Sequence, residues 1–177
     1  PTRGSVLISG MPTAGKSTYQ VTQMGIARTF QNIRLYNNLS VLDNVKVGMH
    51  NGIRENLAAA ITHGFGFRKA EKQAEQAAME MLDFFSLADL AQAPAGSLPY
   101  GAQRRLEIVR ALASGPLILL LDEPAAGMNP SETLELMENI RRIRDTFQIA
   151  ILLIEHDMNL VMGICEGICV LNFGKVI

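Results

Sequence analysis

Two adjacent carboxylates, Asp122 and Glu123, follow a run of apolar residues at 117–121. A run this short and this apolar is typical of a strand that is buried on both faces of a parallel sheet, and Pro124 would stop it. In open α/β sheets, ligands bind beyond the carboxyl ends of the strands. We therefore expect Asp122 to hold a metal ion and Glu123 to activate a water. The alternative is a strand that ends in two solvated acids.

A second candidate is a glycine loop at residues 10–18, which matches G-x-x-x-x-G-K-[ST]. It lies between an apolar run at 5–9, predicted to be a buried strand, and a short predicted helix at 17–24. Such a loop directs backbone N–H groups at phosphate oxygens. Lys16 would reach the β- and γ-phosphates, and Ser17 would ligate Mg²⁺. The predicted binding residues are Gly10, Thr13, Ala14, Gly15, Lys16, Ser17 and Thr18. The alternative is a glycine-rich turn without a ligand.

Two further polar residues follow predicted strands. Gln31 comes after residues 25–30, where a glutamine could contact the metal or the attacking water, although an ordinary loop residue is the default. His156 belongs to the tripeptide 155–157, which follows a second apolar strand at 149–154. Because parallel strands present their carboxyl ends at one edge, we predict a phosphate-sensing role for His156.

The elements that must position these residues form two parts. Residues 1–39 and 114–177 are predicted to be an α/β core, and residues 40–113 an inserted helical block without a convincing strand. Within the block, the pattern predicts a helix that Ser40 caps with Asp43, a flexible loop at 63–67, and helices at 69–85 and 101–113. After the block, Asn129 is predicted to cap a helix, and the last residues are predicted to form a strand, a turn at Gly174 and a return.

Two helical faces are predicted to be core. The first comprises Ala70, Ala74, Ala77, Met81 and Phe84, and the second comprises Leu134, Met137, Ile140, Ile143 and Phe147.

Composition excludes several classes of protein. The 177 residues suggest one domain, and a net charge of −1 gives no global field for nucleic acid. Arg104 and Arg105 are therefore expected on a solvated helix face. No apolar run is long enough for a transmembrane helix, and no signal peptide is expected because a strand and a glycine loop follow Arg3. Cys165 and Cys169 are expected to be reduced, partly buried thiols.

The order of the motifs resembles that of the ATP-binding subunits of ABC transporters. It runs through residues 10–18, Gln31, 98–105, 117–124 and 155–157. Residues 125–130 and 153–158 resemble the branch that serves branched-chain amino acid importers. The resemblance covers nearly the whole chain, and it implies a P-loop NTPase (RecA-like) fold, with a parallel-sheet core and an inserted α-helical subdomain.

The resemblance implies ATP and Mg²⁺ as ligands and a role for each motif. Lys16 and Ser17 would be Walker A residues and Asp122 the Walker B aspartate, so that the metal ligands would be Ser17, Gln31 and Asp122. The catalytic residues would be Glu123 as base, His156 as the switch histidine and Gln31 as the Q-loop residue. Residues 98–103 would form the signature motif, in which Tyr100 and Gly101 bind ATP held by the opposite subunit. Asn129 would stand in the D-loop.

The implied partners are a second ATP-binding subunit, identical or not, and integral membrane permease subunits on which the helical block docks. ATP would be sandwiched between two subunits arranged head to tail. The chain would be cytoplasmic, held at the inner face of the cell membrane through the permease, without nucleic acid and without direct membrane insertion. The implied function is ATP hydrolysis that powers an importer, for branched-chain amino acids. Two rivals stay open: a small P-loop kinase, and a non-hydrolysing nucleotide-binding fragment.

The sequence departs from the family pattern in three places. Only residues 18–30 separate the glycine loop from Gln31, too few for the antiparallel β lobe that relatives carry there. No aromatic residue precedes Gly10 to stack on adenine, and Pro99 replaces the signature serine. The chain also stops just after Gly174, sooner than full-length relatives. A fragment, an engineered minimal form and missing segments are the explanations that the sequence leaves open.

Overall fold

The computed structural model describes residues 4–49 and 65–177. It begins with an antiparallel hairpin of β1 (Leu7–Ile8) and β2 (Met11–Pro12). Ser9 and Gly10 join the two strands, with φ values of 49° and 79°. Two successive positive φ values are those of a type I′ turn, whose twist suits a hairpin.

This hairpin corrects the prediction of a buried strand at residues 5–9 that runs into a phosphate loop. The strand is shorter, and its partner β2 is formed by residues of the predicted loop itself. Ile8 is buried, whereas the other residues from 5 to 9 are exposed.

The helix that follows matches its prediction. Helix α1 (Thr18–Gln23) is capped by Ser17 in a reciprocal capping box with Gln20, and Gly25 follows its end with φ +93°. A Cβ built on Gly25 would lie 2.8 Å from Cγ of Leu117, so the chain comes too close there for a larger residue. None of the residues of α1 is buried. The helix therefore contributes little apolar burial to stability.

Three parallel strands form the sheet of the described chain, as predicted. They are β3 (Ile26–Arg28), β4 (Ile118–Asp122) and β5 (Ala150–Ile154), with β4 in the centre. Leu119 and Leu121 of β4 are fully buried. The sheet therefore presents the carboxyl ends of all three strands at one edge.

Strand β5 corrects a second prediction. It was expected to be buried on both faces, but Leu152 and Ile154 are 58% and 55% exposed. Exposure alternates along the strand, so one face of β5 is uncovered in the described ranges, whereas Ile151 and Leu153 on the other face are partly buried. β5 is also the outer strand of the sheet, and within the described ranges only β4 pairs with it.

The helical block contains α2 (Val41–Met49), α3 (Phe65–Phe84), two short 3₁₀ turns (Ala88–Leu90 and Ala95–Ser97) and α4 (Tyr100–Leu112). Oγ of Ser40 accepts from the N–H of Asp43, as the capping prediction requires. His63 and Gly64 of the predicted flexible loop lie outside the described residues. The rest of that loop prediction is wrong, because residues 65–67 belong to α3. In the described part of the block no strand forms, and a single isolated bridge joins Ser40 to Pro94.

The last elements are α5 (Pro130–Phe147), α6 (Met158–Ile164) and a hairpin of β6 (Leu171–Asn172) and β7 (Lys175–Val176). Asn129 caps α5, and Gly174 turns the hairpin with φ +76°, both as predicted. Cys165 and Cys169 are free thiols; Cys165 is partly buried as predicted, whereas Cys169 is exposed. Across the described ranges, no helix combines the length and the apolar character that crossing a membrane requires.

One apolar core joins the sheet to the helical block, but the two predicted helix faces are each partly wrong. The α3 face is rotated by one residue: Ala78 and Leu82 of α3 are buried, and so is Phe85, which directly follows its end. On α5 the buried apolar side chains are Leu136, Ile140 and Ile143, whereas Leu134 is 66% exposed and Phe147 38% exposed. Both observed sets follow the spacing i, i+4, i+7 of one helix face.

Candidate functional site

The carboxyl end of β4 delivers two acids to one edge of the sheet. Asp122 is the last residue of β4, and the N–H of Glu123 donates to the carbonyl oxygen of Ile154 at 2.9 Å. Glu123 then turns the chain with φ +43°, in the left-handed region. The expected turn at Pro124 therefore occurs one residue earlier. This turn removes Glu123 from the alternation of a strand, so its side chain need not oppose that of Asp122.

Glu123 lies between two of the predicted site residues. Nε2 of Gln31 donates to Oε2 of Glu123 at 2.6 Å. Nδ1 of His156 lies 3.8 Å from Oε1 of the same carboxylate, and the His156 side chain is 78% exposed. The structure thus brings together Gln31, Glu123 and His156, which lie far apart in the sequence. Their catalytic roles stay predictions.

Asp122 has a different partner from Glu123. Its Oδ2 pairs with Nη2 of Arg28 at 2.6 Å, on the neighbouring strand β3. Arg28 therefore neutralises one carboxylate of the pair, and this leaves Glu123 as the acid that faces the two polar side chains.

A magnesium ion at this edge of the sheet would need oxygen ligands. In the described chain, no group of three His, Cys, Asp or Glu residues could hold a metal. Mg²⁺ does not need such a group, because one or two protein oxygens, completed by phosphate and water, suffice. Asp122 supplies a carboxylate oxygen, and Oε1 of Gln31 accepts no hydrogen bond from the described residues. These two residues fit Mg²⁺. The Ser17 hydroxyl accepts from the N–H of Gln20 in the cap of α1, and its role as a metal ligand stays a prediction.

The glycine loop at residues 10–18 lies outside the three-stranded sheet. Its hydrogen bonds are local: Thr13 bonds to Val6, and the N–H of Lys16 bonds to Thr13. Among the described residues, no hydrogen bond or ion pair connects this loop to Asp122, Glu123 or His156. A phosphate loop requires a strand of the sheet before it, and the hairpin does not provide one. The binding roles of Gly10, Thr13, Ala14, Gly15, Lys16, Ser17 and Thr18 are predictions without that support.

The predicted signature residues pack against the loop that follows β4. The hydroxyl of Tyr100 donates to the carbonyl of Ala126 at 2.9 Å. A Cβ added to Gly127 would lie 3.6 Å from the Tyr100 ring, and one added to Gly101 would lie 3.0 Å from Oε1 of Glu132. Asn129 Oδ1 accepts from the N–H of Glu132 as the cap of α5. The first turn of α4 is therefore fitted closely to this loop of its own chain.

Glu155 is a residue of the site that the sequence analysis did not assign. Its side chain is 2% exposed, and its Oε1 accepts from the N–H of Ala125 at 3.0 Å. Its Oε2 accepts from the N–H of His156 at 3.0 Å and lies 3.8 Å from Nδ1 of that histidine. Glu155 thus connects the loop after Glu123 with the loop of His156. The sequence feature that could have identified Glu155 is its place directly between an apolar strand and a histidine.

Comparison with known proteins gave consistent matches. The family model described as ABC transporter matches residues 1–126. The chain is 40% identical to the high-affinity branched-chain amino acid transport ATP-binding protein BraF of Pseudomonas aeruginosa and 42% identical to LivG of Escherichia coli. Each match spans 98% of this chain and 68% of the relative.

Solved structures agree with the sequence matches. The crystal structure of an ATP-binding cassette of an ABC transporter in its ADP conformation superposes with a TM-score of 0.78 at 27% identity. That match covers 99% of this chain and 68% of the other. The cbiO1 protein of Clostridium perfringens, at 24% identity and a TM-score of 0.81, shares the fold.

Proposed function

This chain belongs to the ABC transporter family, and on that premise we propose that it hydrolyses ATP at Glu123 to power the import of branched-chain amino acids. The observation that carries the proposal is the placement of Glu123 between Gln31, at 2.6 Å, and His156, at 3.8 Å. The transported substrate is inferred from the printed names of BraF and LivG.

In the proposed reaction, Glu123 accepts a proton from the attacking water. Gln31 donates to Oε2 of the carboxylate, and Nδ1 of the exposed His156 lies 3.8 Å from Oε1. A positioned general base is typically worth about 10²–10⁴ in rate. His156, which is exposed beside two carboxylates, is proposed to contact the terminal phosphate of ATP.

Asp122 and Gln31 are the residues that would hold Mg²⁺. The ion would supply positive charge to the phosphate oxygens and orient them. The pairing of Asp122 with Arg28 keeps that carboxylate fixed at the end of β4. Proton transfer is thereby assigned to Glu123 alone.

For residues 10–18 the phosphate-binding role stays a proposal, supported by the match to G-x-x-x-x-G-K-[ST] within the residues that the family model covers. In this structure the loop is an exposed hairpin turn with local hydrogen bonds. The proposed hydrolytic site consists of Gln31, Asp122, Glu123 and His156.

The proposed partners are a second ATP-binding subunit and a membrane permease. Tyr100, Gly101 and Asn129 lie at the start of α4 and in the loop before α5, and they are proposed to face ATP held by the second subunit. The helical block at residues 40–113 is proposed to dock on the permease. The chain would then lie on the cytoplasmic face of the membrane and be held there by the permease.

Nucleotide titration beside phosphate release tests the proposal. ATP should bind more tightly with Mg²⁺ than without it, and phosphate should be released without any acceptor substrate. Binding without release would favour the non-hydrolysing fragment. Release that requires an added acceptor would favour the kinase. Unchanged binding on removal of Mg²⁺ would contradict the assignment of Asp122.

A further inference from the structure

Arg104 and Glu107 form a buried ion pair within α4. Their side chains are 0% and 1% exposed, and Nη1 of Arg104 lies 2.9 Å from Oε2 of Glu107. The prediction of a solvated helix face is therefore wrong for Arg104. It is correct only in part for Arg105, which is 22% exposed and pairs with Glu135. A buried ion pair is weak support for stability, because desolvation of both charges opposes it. Its presence calls for another explanation.

The remaining bonds of the pair are made to a loop of the site. Nη1 of Arg104 donates to the carbonyl oxygen of Phe30 at 2.7 Å, and Nη2 donates to that of Gln31 at 2.8 Å. Oε1 of Glu107 accepts from the N–H of Arg34 at 3.1 Å. Two side chains on one turn of α4 thus hold three backbone groups of residues 30–34.

This loop carries the amide that contacts the carboxylate of Glu123. Gln31 is fixed at its own carbonyl by Arg104, and its side chain donates to Glu123 at 2.6 Å. A second connection reaches the other side of Glu123. The Tyr100 hydroxyl, 3.4 Å from Nη2 of Arg104, donates to the carbonyl of Ala126, whose N–H donates to the carbonyl of Glu123.

We propose that Arg104, held by Glu107, is a positioning residue that places Gln31 against Glu123 and connects both to the first turn of α4. The inference rests on the proposed ATPase function. Arg104 acts through the backbone of Gln31, since its Nη atoms are occupied by protein acceptors. A lysine would not replace it, because one ammonium cannot reproduce the planar fork that serves two carbonyls and a carboxylate.

The first test measures ATP turnover by the full-length protein and by its double variant Arg104→Met/Glu107→Leu. Replacing a whole buried pair by apolar residues is usually tolerated, so the fold should survive. We expect kcat for ATP to fall by about tenfold to a hundredfold, as for a misplaced reacting group, with KM changed by less than about twofold. Arg105→Met is the matched control on the next residue of α4, and its kcat should stay at the parent value. A parental kcat in the double variant would overturn the proposal.

A double-mutant cycle separates positioning from a general structural role. In a Gln31→Ala background, the same two substitutions should change kcat by less than about twofold, because the group that they position is gone. Losses that multiply in that background would show that Arg104 acts elsewhere, and the proposal would be wrong.

Amide hydrogen exchange decides the proposal even if the parent releases no phosphate, which would defeat the proposed function alone. The Arg34 amide should exchange at least about tenfold faster in the Arg104→Met/Glu107→Leu variant, because its acceptor is lost. The amides in the middle of α4 should keep their protection. Unchanged exchange at Arg34 would mean that the pair does not hold the loop, and this would overturn the inference.

Discussion

The hairpin at residues 7–12 begins one glycine motif, and the first turn of α4 contains another. The two regions differ in how they contact the rest of the chain. The motif at residues 10–18 matches its consensus in every fixed position, yet it lies on an exposed hairpin with local hydrogen bonds. The motif near Tyr100 departs from its pattern at Pro99, yet it contacts two loops of the site. Agreement with a consensus and integration into a site are therefore separate properties.

The difference between the two regions lies in buried polar contacts. Arg104 and Glu107 are almost completely buried and bond to the backbone of residues 30–34. Lys16 and Ser17 are exposed, and their hydrogen bonds stay within the loop and α1. A side chain keeps a fixed position in a site when it bonds to segments that are distant in the sequence. The α4 region meets that condition in the described chain.

The largest effect is expected at Glu123, which lies on the α4 side of the comparison. Glu123→Gln keeps the size and a carbonyl acceptor but removes the base, so phosphate release should fall by about 10²–10⁴. ATP binding should survive, and if two subunits sandwich ATP, an ATP-bound dimer should accumulate on size exclusion. Glu138→Gln, on an exposed acid of α5, is the control. Release at the parent rate in Glu123→Gln would refute the assignment.

The second effect is a stability effect that only the α4 region should show. Arg104→Met leaves the Glu107 carboxylate buried without its partner, and breaking such a pair costs about 3–5 kcal/mol. Urea denaturation should therefore show a large fall in the free energy of unfolding. The Arg104→Met/Glu107→Leu variant should recover most of it. If the single variant were as stable as the parent, the buried charge would not be isolated from water as the structure shows.

Two capping boxes allow the comparison to be made with one kind of substitution. Asn129→Ala removes the cap of α5, a helix in the core, and should lower the free energy of unfolding by about 1 kcal/mol. Ser17→Ala removes the corresponding cap of α1, which has no buried residue, and should have less effect on global unfolding. Thermal unfolding of both variants measures the difference. Equal losses would show that α1 is part of the cooperative core.

The effect of Lys16→Ala distinguishes a surface hairpin turn from a phosphate loop. If residues 10–18 are a surface hairpin turn, Lys16→Ala should change ATP affinity by less than about twofold, the range usual for a screened surface charge. Lys175→Ala, in the exposed hairpin β6–β7, is the matched control. A severe loss of affinity in Lys16→Ala alone would support the prediction of a phosphate loop and remove the contrast between the two regions.

Local patterns predicted the elements well. The caps at Ser40 and Asn129, the parallel strands and the carboxyl-edge placement of Asp122 and Glu123 all depend on near neighbours or on strand order, and both are visible in a sequence. Their meeting with Gln31 and His156 at one edge follows from the same strand order.

The remaining features depend on tertiary partners that no local pattern contains. An Arg-Arg pair does not reveal which arginine will find buried carbonyls, so Arg104 was misplaced on the surface. Five consecutive apolar residues do not reveal whether a strand is central, as β4 is, or outermost, as β5 is. A glycine consensus cannot distinguish a loop beneath a sheet from the turn of a hairpin.

The left-handed backbone at Glu123 sets chemistry against thermostability at a single position. With φ +43°, a residue with a Cβ carries a conformational cost of about 1–2 kcal/mol that glycine would escape. Glu123→Gly should therefore relieve strain while removing the proposed base. A library screened only for resistance to heat would drift toward glycine here, and variants that emerged more robust would be inert. Selection for this scaffold in engineering must accordingly be made on turnover.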